Sequence, residues 1–249
     1  MRRIFWLHLS GFVFVFCSLL VSACSFAESE KSQLDVYFVR HAETVANVTA
    51  DYSEKNQRTF TEKGKDQIKR LTEGLKQYKF DEIFVSPKYR TMRTIEPYLQ
   101  EQGITAELWP ELAECCYQRD QNVKPTHISL EDGARINIMP DEKEWFFFRD
   151  KAEKGWYYDV RNYADGIMHL EKSVELIKER FGGTGKTILL VSHSLAGGRI
   201  IEMLLGLPPD GNYHPANARL THLRMNKNGK FEMLFFNKEL LPRKIGIPD

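Results

Sequence analysis

Hydrophobic and polar positions along the chain follow two periods that alternate from one end to the other. Asp35-Val36-Tyr37-Phe38-Val39 is a short run of β-forming residues and reads as a buried strand ending at Arg40-His41. A polar loop follows to about Phe60. Thr61 has the character of a helix N-cap, with Glu62 in the first turn. Ile68, Leu71, Leu75 and Tyr78 then recur at spacings of three and four, which gives one apolar helix face. Asp81 to Ser86 predicts a second strand, stopped by Pro87. A helix is expected from Tyr89 to about Gln102, kinked or split at Pro97 and ended by Gly103. Thr105 to Trp109 is a third short strand.

The second half is patterned less evenly. Residues 115–165 show no regular period and are rich in aromatics, Trp145 to Phe148 and Trp156 to Tyr158. Such side chains are expected to form the core of an insertion, or a wall of a substrate pocket. An amphipathic helix runs from about Gly166 to Phe181, and the turn Gly182 to Gly185 leads into a strand, Thr187 to Ser192. A helix from Ser194 to Leu207 comes next. Leu220 to Met225 and Phe231 to Phe236, joined by Asn228-Gly229, read as a β-hairpin. Strands alternating with helices predict a three-layer α/β/α sandwich with a mostly parallel central sheet. No repeat, low-complexity tract or linker interrupts it. Residues 28–249 therefore read as one domain, with 115–165 inserted over one end of the sheet.

Candidate chemistry lies at the predicted strand ends, where open α/β sheets bind ligands. One strand ends in Arg40-His41, another in Ser86-Pro87-Lys88-Tyr89-Arg90, and a later one in Ser192-His193-Ser194. Two arginines and two histidines on one rim describe an anion pocket. The planar guanidinium matches phosphate oxygens and stays charged, and imidazole can donate to phosphate or attack it. In isolation each of these residues would read as a surface arginine or a core histidine; it is their shared position that points to a site.

At these residues the chain resembles the histidine phosphatase superfamily, in its phosphoglycerate-mutase-like branch. Val39 to Asn47 (VRHAETVAN) is similar to the RHGETxxN signature, and Phe60 to Gly64 to the LTxxG segment. Ser86 to Thr94 (SPKYRTMRT) resembles SPxxRxxxT, Leu112-Ala113-Glu114 the LxE that carries the acid, and Val191-Ser192-His193 the second histidine segment. The matches run in family order over residues 35–200. The resemblance implies His41 as the nucleophile that becomes a phosphohistidine, and Arg40, Arg90 and His193 as the phosphoryl clamp. Glu114 would protonate the leaving group and then deprotonate water. Asn47, Arg93 and Ser194 are further substrate-binding candidates. No metal or other cofactor is expected, because arginine and histidine supply the positive charge, and no metal-ligand spacing is present. Ala42 stands where the family has glycine. Arg93, one turn after Arg90, reaches the substrate or covers the helix surface. Glu111, Asp120 and Asp132 are the other acids that can take the role of Glu114. Glu43 is expected to be structural, and His127, His169, His214 and His222 have no spacing that marks them as functional.

Two motifs lead elsewhere. Gly182 to Thr187 (GGTGKT) looks like the end of a Walker A loop, but its first glycine would fall on Arg180, and it joins a helix to a strand where a P-loop joins a strand to a helix. Ser192 to Ala196 sits where a serine hydrolase has its nucleophile elbow, with Ser194 as nucleophile and Asp210 and His214 or His222 after it. Both elbow glycines are absent, replaced by Ser192 and Ala196. A serine hydrolase and a non-catalytic phosphate-binding protein are the remaining classes. Within the enzyme reading, phosphate passes to water in a phosphatase or back to the substrate in a mutase. The natural partner is a small phosphorylated molecule.

Charge changes the picture at one end. The 249 residues carry a formal charge of +1, with 28% charged and 42% hydrophobic residues, which is an ordinary globular composition without a basic footprint for nucleic acid. Arg2 and Arg3, the apolar stretch Ile4 to Ala23 and the small residues Ser25-Phe26-Ala27 form an export signal over residues 1–27, with a retained membrane anchor as the alternative. Leu20 to Cys24 (LVSAC) also resembles a bacterial lipobox, which would lipidate Cys24 and tether the protein to a membrane. Removal of residues 1–27 takes two arginines and no acid, leaving a charge of −1. The cysteines that remain are the adjacent pair Cys115-Cys116, which can close only a strained ring; pairing between chains is the alternative. Secretion from a bacterial host is expected to yield a periplasmic or cell-envelope protein lacking the leader. Mass spectrometry of its N-terminus reads a start at Glu28 or a diacylglyceryl group on Cys24; an intact Met1 to Ala27 segment would contradict export.

Overall fold

The computed structural model describes residues 33–116, 136, 138–149, 160 and 162–240, all within one compact unit. The signal segment with Cys24, and also His127, Asp120, Asp132 and Trp156 to Tyr158, lie outside the described residues. In chain order the elements are β1 (Leu34–Arg40), α1 (Val45–Thr49), α2 (Glu54–Arg58), α3 (Glu62–Leu75), β2 (Glu82–Val85), α4 (Tyr89–Gln102), β3 (Ala106–Leu108), β4 (Phe146–Phe148), α5 (Tyr163–Phe181), β5 (Thr187–Ser192), α6 (Leu195–Leu204), β6 (Leu220–Met225) and β7 (Phe231–Lys238). Short 3₁₀ turns cover Pro110–Leu112 and Glu142–Glu144.

The strands make one seven-stranded sheet in the order β4-β3-β2-β5-β1-β6-β7. β1, β2, β3, β4 and β5 are parallel, and the β6–β7 hairpin adds antiparallel beside β1. Both faces are covered. On β5, Ile188 and Leu190 pack toward α5 and α6 with Val36, Phe38, Leu170, Ile177 and Ile200, while Leu189 and Val191 pack toward α3 and α4 with Val39, Leu71, Leu75, Ile95 and Leu99. Burial on both faces is why β5 is apolar throughout rather than alternating. This is the three-layer sandwich that the alternation of elements predicts.

Four local features differ from the sequence reading, each for a physical reason. The polar stretch before Phe60 holds two short helices. α2 buries no residue and so leaves no apolar period to detect. α1 is started by Thr44, whose backbone N–H donates to Asn47 Oδ1 at 3.1 Å. Helix α4 runs unbroken through Pro97. A mid-helix proline removes one bond and costs about 3 kcal/mol, and here Ile95, Tyr98 and Leu99 bury the helix on both sides of it. The Trp145 to Phe148 aromatics are more than an insertion core. Phe146–Phe148 is an edge strand that pairs in register with Ala106–Leu108, burying Phe146 and leaving Phe147 half-exposed. Three residues are too few to display a period. Finally, α5 starts three residues early because the Asn162 side chain accepts from the Asp165 N–H at 2.9 Å. Cys115 and Cys116 are free and buried.

Close backbone approach fixes the start of α3 to the loop after β1. Thr61 caps the helix by accepting the Gly64 N–H at 2.9 Å, and its own N–H donates to the Glu43 carbonyl at 3.2 Å. A Cβ on Gly64 would lie 2.0 Å from that same carbonyl oxygen. Gly64→Ala must therefore push α3 from the loop. It is expected to cost about 1–3 kcal/mol, the usual range for overpacking, read as a lower urea midpoint with unchanged slope. An unchanged midpoint would contradict the packing described.

Candidate active site

The parallel strands deliver their C-terminal ends to one edge of the sheet. The pairings Arg40–Ser192, Val85–Val191 and Val85–Leu108 set the ends of β1, β5, β2 and β3 side by side at one level. His41 follows β1 and is held through its backbone and its ring. Its N–H donates to the Ser192 carbonyl at 3.0 Å, and its carbonyl accepts from Asn217 Nδ2 at 2.8 Å. The next amide, Ala42, donates to Thr94 Oγ1 at 2.9 Å. The ring Nδ1 lies 2.8 Å from the Ala42 carbonyl. A carbonyl only accepts, so Nδ1 carries the proton and Nε2 the lone pair. Arg90 Nε–H points at that lone pair from 3.2 Å. Burial, Arg90 and Arg40 all hold His41 well below the ordinary histidine range, so the ring is neutral at neutral pH.

His193 faces this group from the end of β5, its ring centroid 5.3 Å from that of His41. Its Nε2 lies 2.8 Å from Ser86 Oγ at the end of β2. Burial, then Arg90 and His41, lower its pKa well below the usual value. Arg40 anchors Nη1 on the Pro215 carbonyl at 3.1 Å, and Arg90 anchors Nη1 on Gln57 Oε1 at 3.0 Å. His193 Nδ1 and Arg40 Nε are buried without a partner among the described residues. Buried polar atoms are normally satisfied. Two such atoms around a neutral imidazole, with two guanidinium groups beside them, mark where anionic oxygens would be accommodated.

Glu114 reaches the same place along the segment after β3. His169 Nε2 lies 3.0 Å from the Pro110 carbonyl, Ser192 Oγ donates to the Leu112 carbonyl at 2.7 Å, and the Ala196 N–H donates to Glu114 Oε1 at 2.8 Å. Burial raises the pKa of Glu114, opposed by the Ala196 amide, Arg90, Arg40 and Arg199. Such a carboxyl can hold a proton and also release it. Glu111, the nearest alternative in sequence, lies 3.9 Å from Arg149, whereas Glu114 is the acid whose charge acts on Arg40.

The other predicted residues have the following partners in the structure. Arg93, expected among the substrate-binding groups, is engaged by Glu96 at 2.7 Å, Asp141 at 2.9 Å and Glu142 at 3.2 Å, tying α4 to the segment before β4. Asn47 Oδ1 accepts from Thr44 N–H and, at 3.2 Å, from Asn217 Nδ2, so that side chain braces the loop. Ser194 Oγ donates to the Pro215 carbonyl at 3.3 Å, beside Arg40. Glu43 is taken by Thr61 and Lys63, a structural role. His222 lies 2.5 Å from Asp35 and stacks on Tyr37, on strands that place it far along from Ser194. Sequence reasoning missed Asn217 and Gln57. Both sit in unpatterned polar stretches, and nothing in their spacing marks them. Ser86 and Thr94 lay inside a recognised segment and were legible as motif positions only.

Residues 36–238 match the model of the histidine phosphatase superfamily, branch 1. The chain belongs to that superfamily and is an enzyme of its type. Among relatives, it is 28% identical over 185 residues to the probable phosphoglycerate mutase GpmB of Cronobacter sakazakii, covering 70% of this chain and 76% of that one. It is 26% identical over 181 residues to the adenosylcobalamin/alpha-ribazole phosphatase of Salmonella typhi, covering 72% and 83%. The crystal structure of the alpha-ribazole phosphatase from Shigella flexneri superposes with a TM-score of 0.60 over 86% of this chain and all of that one, at 18% identity, a likeness of fold.

Buried neutral histidines make stability depend on pH. His169 is held down to about 4, by burial above all, against about 6.5 in an unfolded chain; His41 and His193 are shifted in the same direction. A depressed folded value means that the stability is complete above about 6.5 and is lost as pH falls toward about 4, because the unfolded chain takes the proton first. Glu114, raised on folding, acts in the opposite sense. The unfolding free energy is expected to fall across this window, with His169→Gln flattening the fall by on the order of 3 kcal/mol. A flat profile in the wild type, or the same slope in the variant, would contradict neutral burial of these rings.

Proposed function

We propose that the protein is a phosphomonoester phosphatase that works through a phosphohistidine on His41. The observation that carries this reading is the unprotonated Nε2 of a buried, neutral His41 with a guanidinium N–H 3.2 Å away. Nε2 attacks phosphorus, the N–P bond forms and the ester O–P bond breaks. Glu114 gives its proton to the departing alkoxide. Water then attacks phosphorus, Glu114 takes the proton back, and the N–P bond breaks to release phosphate. Arg40, Arg90 and His193 hold the transferring oxygens, supplying the charge stabilisation that a metal supplies in other phosphoryl-transfer sites.

A mutase would return the phosphoryl group to the substrate, and the relative named as a probable phosphoglycerate mutase favours that second reading. Two things support the phosphatase. The Salmonella relative is named a phosphatase. The leader-like residues 1–27 point to the cell envelope, away from glycolytic substrates. The substrate is a small phosphoester. Purified protein is expected to release phosphate from an aryl phosphate at the same rate with and without chelator. His41→Ala is expected to abolish turnover. Glu114→Gln is expected to lower kcat by about 10²–10⁴ for alkyl esters, and less for aryl esters, whose leaving group needs no proton. No release by the wild type, or release intact in His41→Ala, would overturn the reading; phosphoryl return to the substrate with no net phosphate would favour the mutase.

A further inference from the structure

Arg90 meets His41 through one N–H, and a single bond holds a guanidinium at a point without fixing its plane. The second anchor is Gln57, in the short helix α2, whose Oε1 accepts from Arg90 Nη1 at 3.0 Å. The partners of that amide settle which way round it lies. Gln57 Nε2 donates to the Tyr52 carbonyl at 2.6 Å. A carbonyl only accepts and a guanidinium only donates, so the amide oxygen must face Arg90. The next side chain of α2 reaches the preceding residue of α4: the Arg58 guanidinium lies over the Tyr89 ring, 4.4 Å from its centroid. Gln57 and Arg58 thus hold Arg90 and Tyr89, the first two residues of α4, although α2 itself buries no residue. With no apolar face to bring to the fold, α2 meets α4 through these polar and cation–π contacts.

We infer that Gln57 is a positioning residue: its uncharged amide oxygen holds the Arg90 fork with Nε toward His41 and leaves the positive charge of the site intact. The inference rests on the phosphohistidine reading and extends it to a residue outside the phosphoryl clamp. The two bonds run from different nitrogens of one planar group, at 3.2 Å to His41 and at 3.0 Å to Gln57, so together they set its plane. A carboxylate in the place of Gln57 would also orient the guanidinium, but it would cancel the charge that is to receive the phosphoryl oxygens. In the reaction His41 Nε2 gives its lone pair to phosphorus and can no longer accept from Arg90. The released Nε–H turns to a phosphoryl oxygen, and Gln57 keeps Nη1 in place during that exchange. The fork therefore pivots about a fixed point and is already oriented when charge develops on those oxygens.

The test compares the wild type with Gln57→Leu and Gln57→Glu. It reads kcat and KM on an aryl phosphate, the Kd of inorganic phosphate, and the ¹⁵N resonance of His41 Nε2 in the free protein. Leucine removes the acceptor. In that variant kcat is expected to fall about 10-fold, the worth of one hydrogen bond to a charged group, and the Nε2 resonance to move toward that of a nitrogen that accepts no hydrogen bond. Glutamate keeps the acceptor and adds a charge. There the Nε2 resonance should stay in place and kcat should remain within a few-fold of the wild type, while KM and the Kd of phosphate rise several-fold. Wild-type kcat and Nε2 position in Gln57→Leu would overturn the inference. So would equal losses in both variants, since a merely structural side chain gives the kcat and KM effects no reason to separate. If Gln57→Leu does not fold, Gln57→Glu decides: a displaced Nε2 resonance, or an unchanged Kd for phosphate, would overturn it. A wild type that binds phosphate without hydrolysing esters would sink the phosphatase reading alone, and the Nε2 resonances and phosphate affinities of the variants would still decide the role of Gln57.

Discussion

The hydrogen bond from Arg90 Nε to the bare Nε2 of His41 is possible only if that imidazole is neutral and its proton sits on the other nitrogen. Much of the surrounding architecture serves this condition. The Ala42 carbonyl fixes the proton on Nδ1, and Thr94 and Asn217 hold the N–H and the C=O of the single peptide group that follows His41. Burial together with two arginines makes a third positive charge at His41 unfavourable, and the same terms keep His193 neutral. In the proposed reaction, fixed cations receive an anion and an unprotonated nitrogen reacts with it. Were the histidines charged, the anion would bind and no lone pair would remain to attack it.

Holding several positive groups together without a bound anion opposes folding, and the fold answers with rigid supports rather than with neutralising acids. Arg40 rests on the Pro215 carbonyl and Arg90 on Gln57, which is in turn anchored on the Tyr52 carbonyl. Among the described residues, Glu114 is the acid that acts most strongly on Arg40, ahead of Glu43. It is itself held by a backbone amide at the start of α6, so its carboxyl sits between a desolvated environment that favours the proton and several positive groups that favour its loss. The carboxylates that could have neutralised the site are occupied elsewhere: Glu43 on Thr61 and Lys63, and Glu96, Asp141 and Glu142 on Arg93.

The sandwich and the clustering of Arg40, His41, Arg90 and His193 were legible because they depend on pattern. Long apolar strands buried on both faces, helices with one apolar stripe, and polar residues at strand ends all leave periodic traces in sequence. What escaped depends on contacts between residues distant in the chain. β4 is three residues long and becomes a strand only by pairing with β3. α1 and α2 are five residues each, and α2 buries no residue and has no side-chain cap, so neither leaves a period to read. Asn217 lies 176 residues from the His41 carbonyl that it holds, and no spacing rule reaches that far. Arg93 shows the converse. Its spacing from Arg90 places it near the site, yet three carboxylates from α4 and the segment before β4 claim it, two of them in a stretch with no readable period.

The measurement that bears most directly on this account is the tautomer and charge of His41, read by ¹H–¹⁵N NMR on the free enzyme and assigned with His41→Ala. The account predicts a neutral ring at neutral pH, protonated at Nδ1, with the Nε2 resonance at the position of an unprotonated nitrogen accepting a hydrogen bond. A ring protonated at Nε2, or an imidazolium at neutral pH, would contradict it.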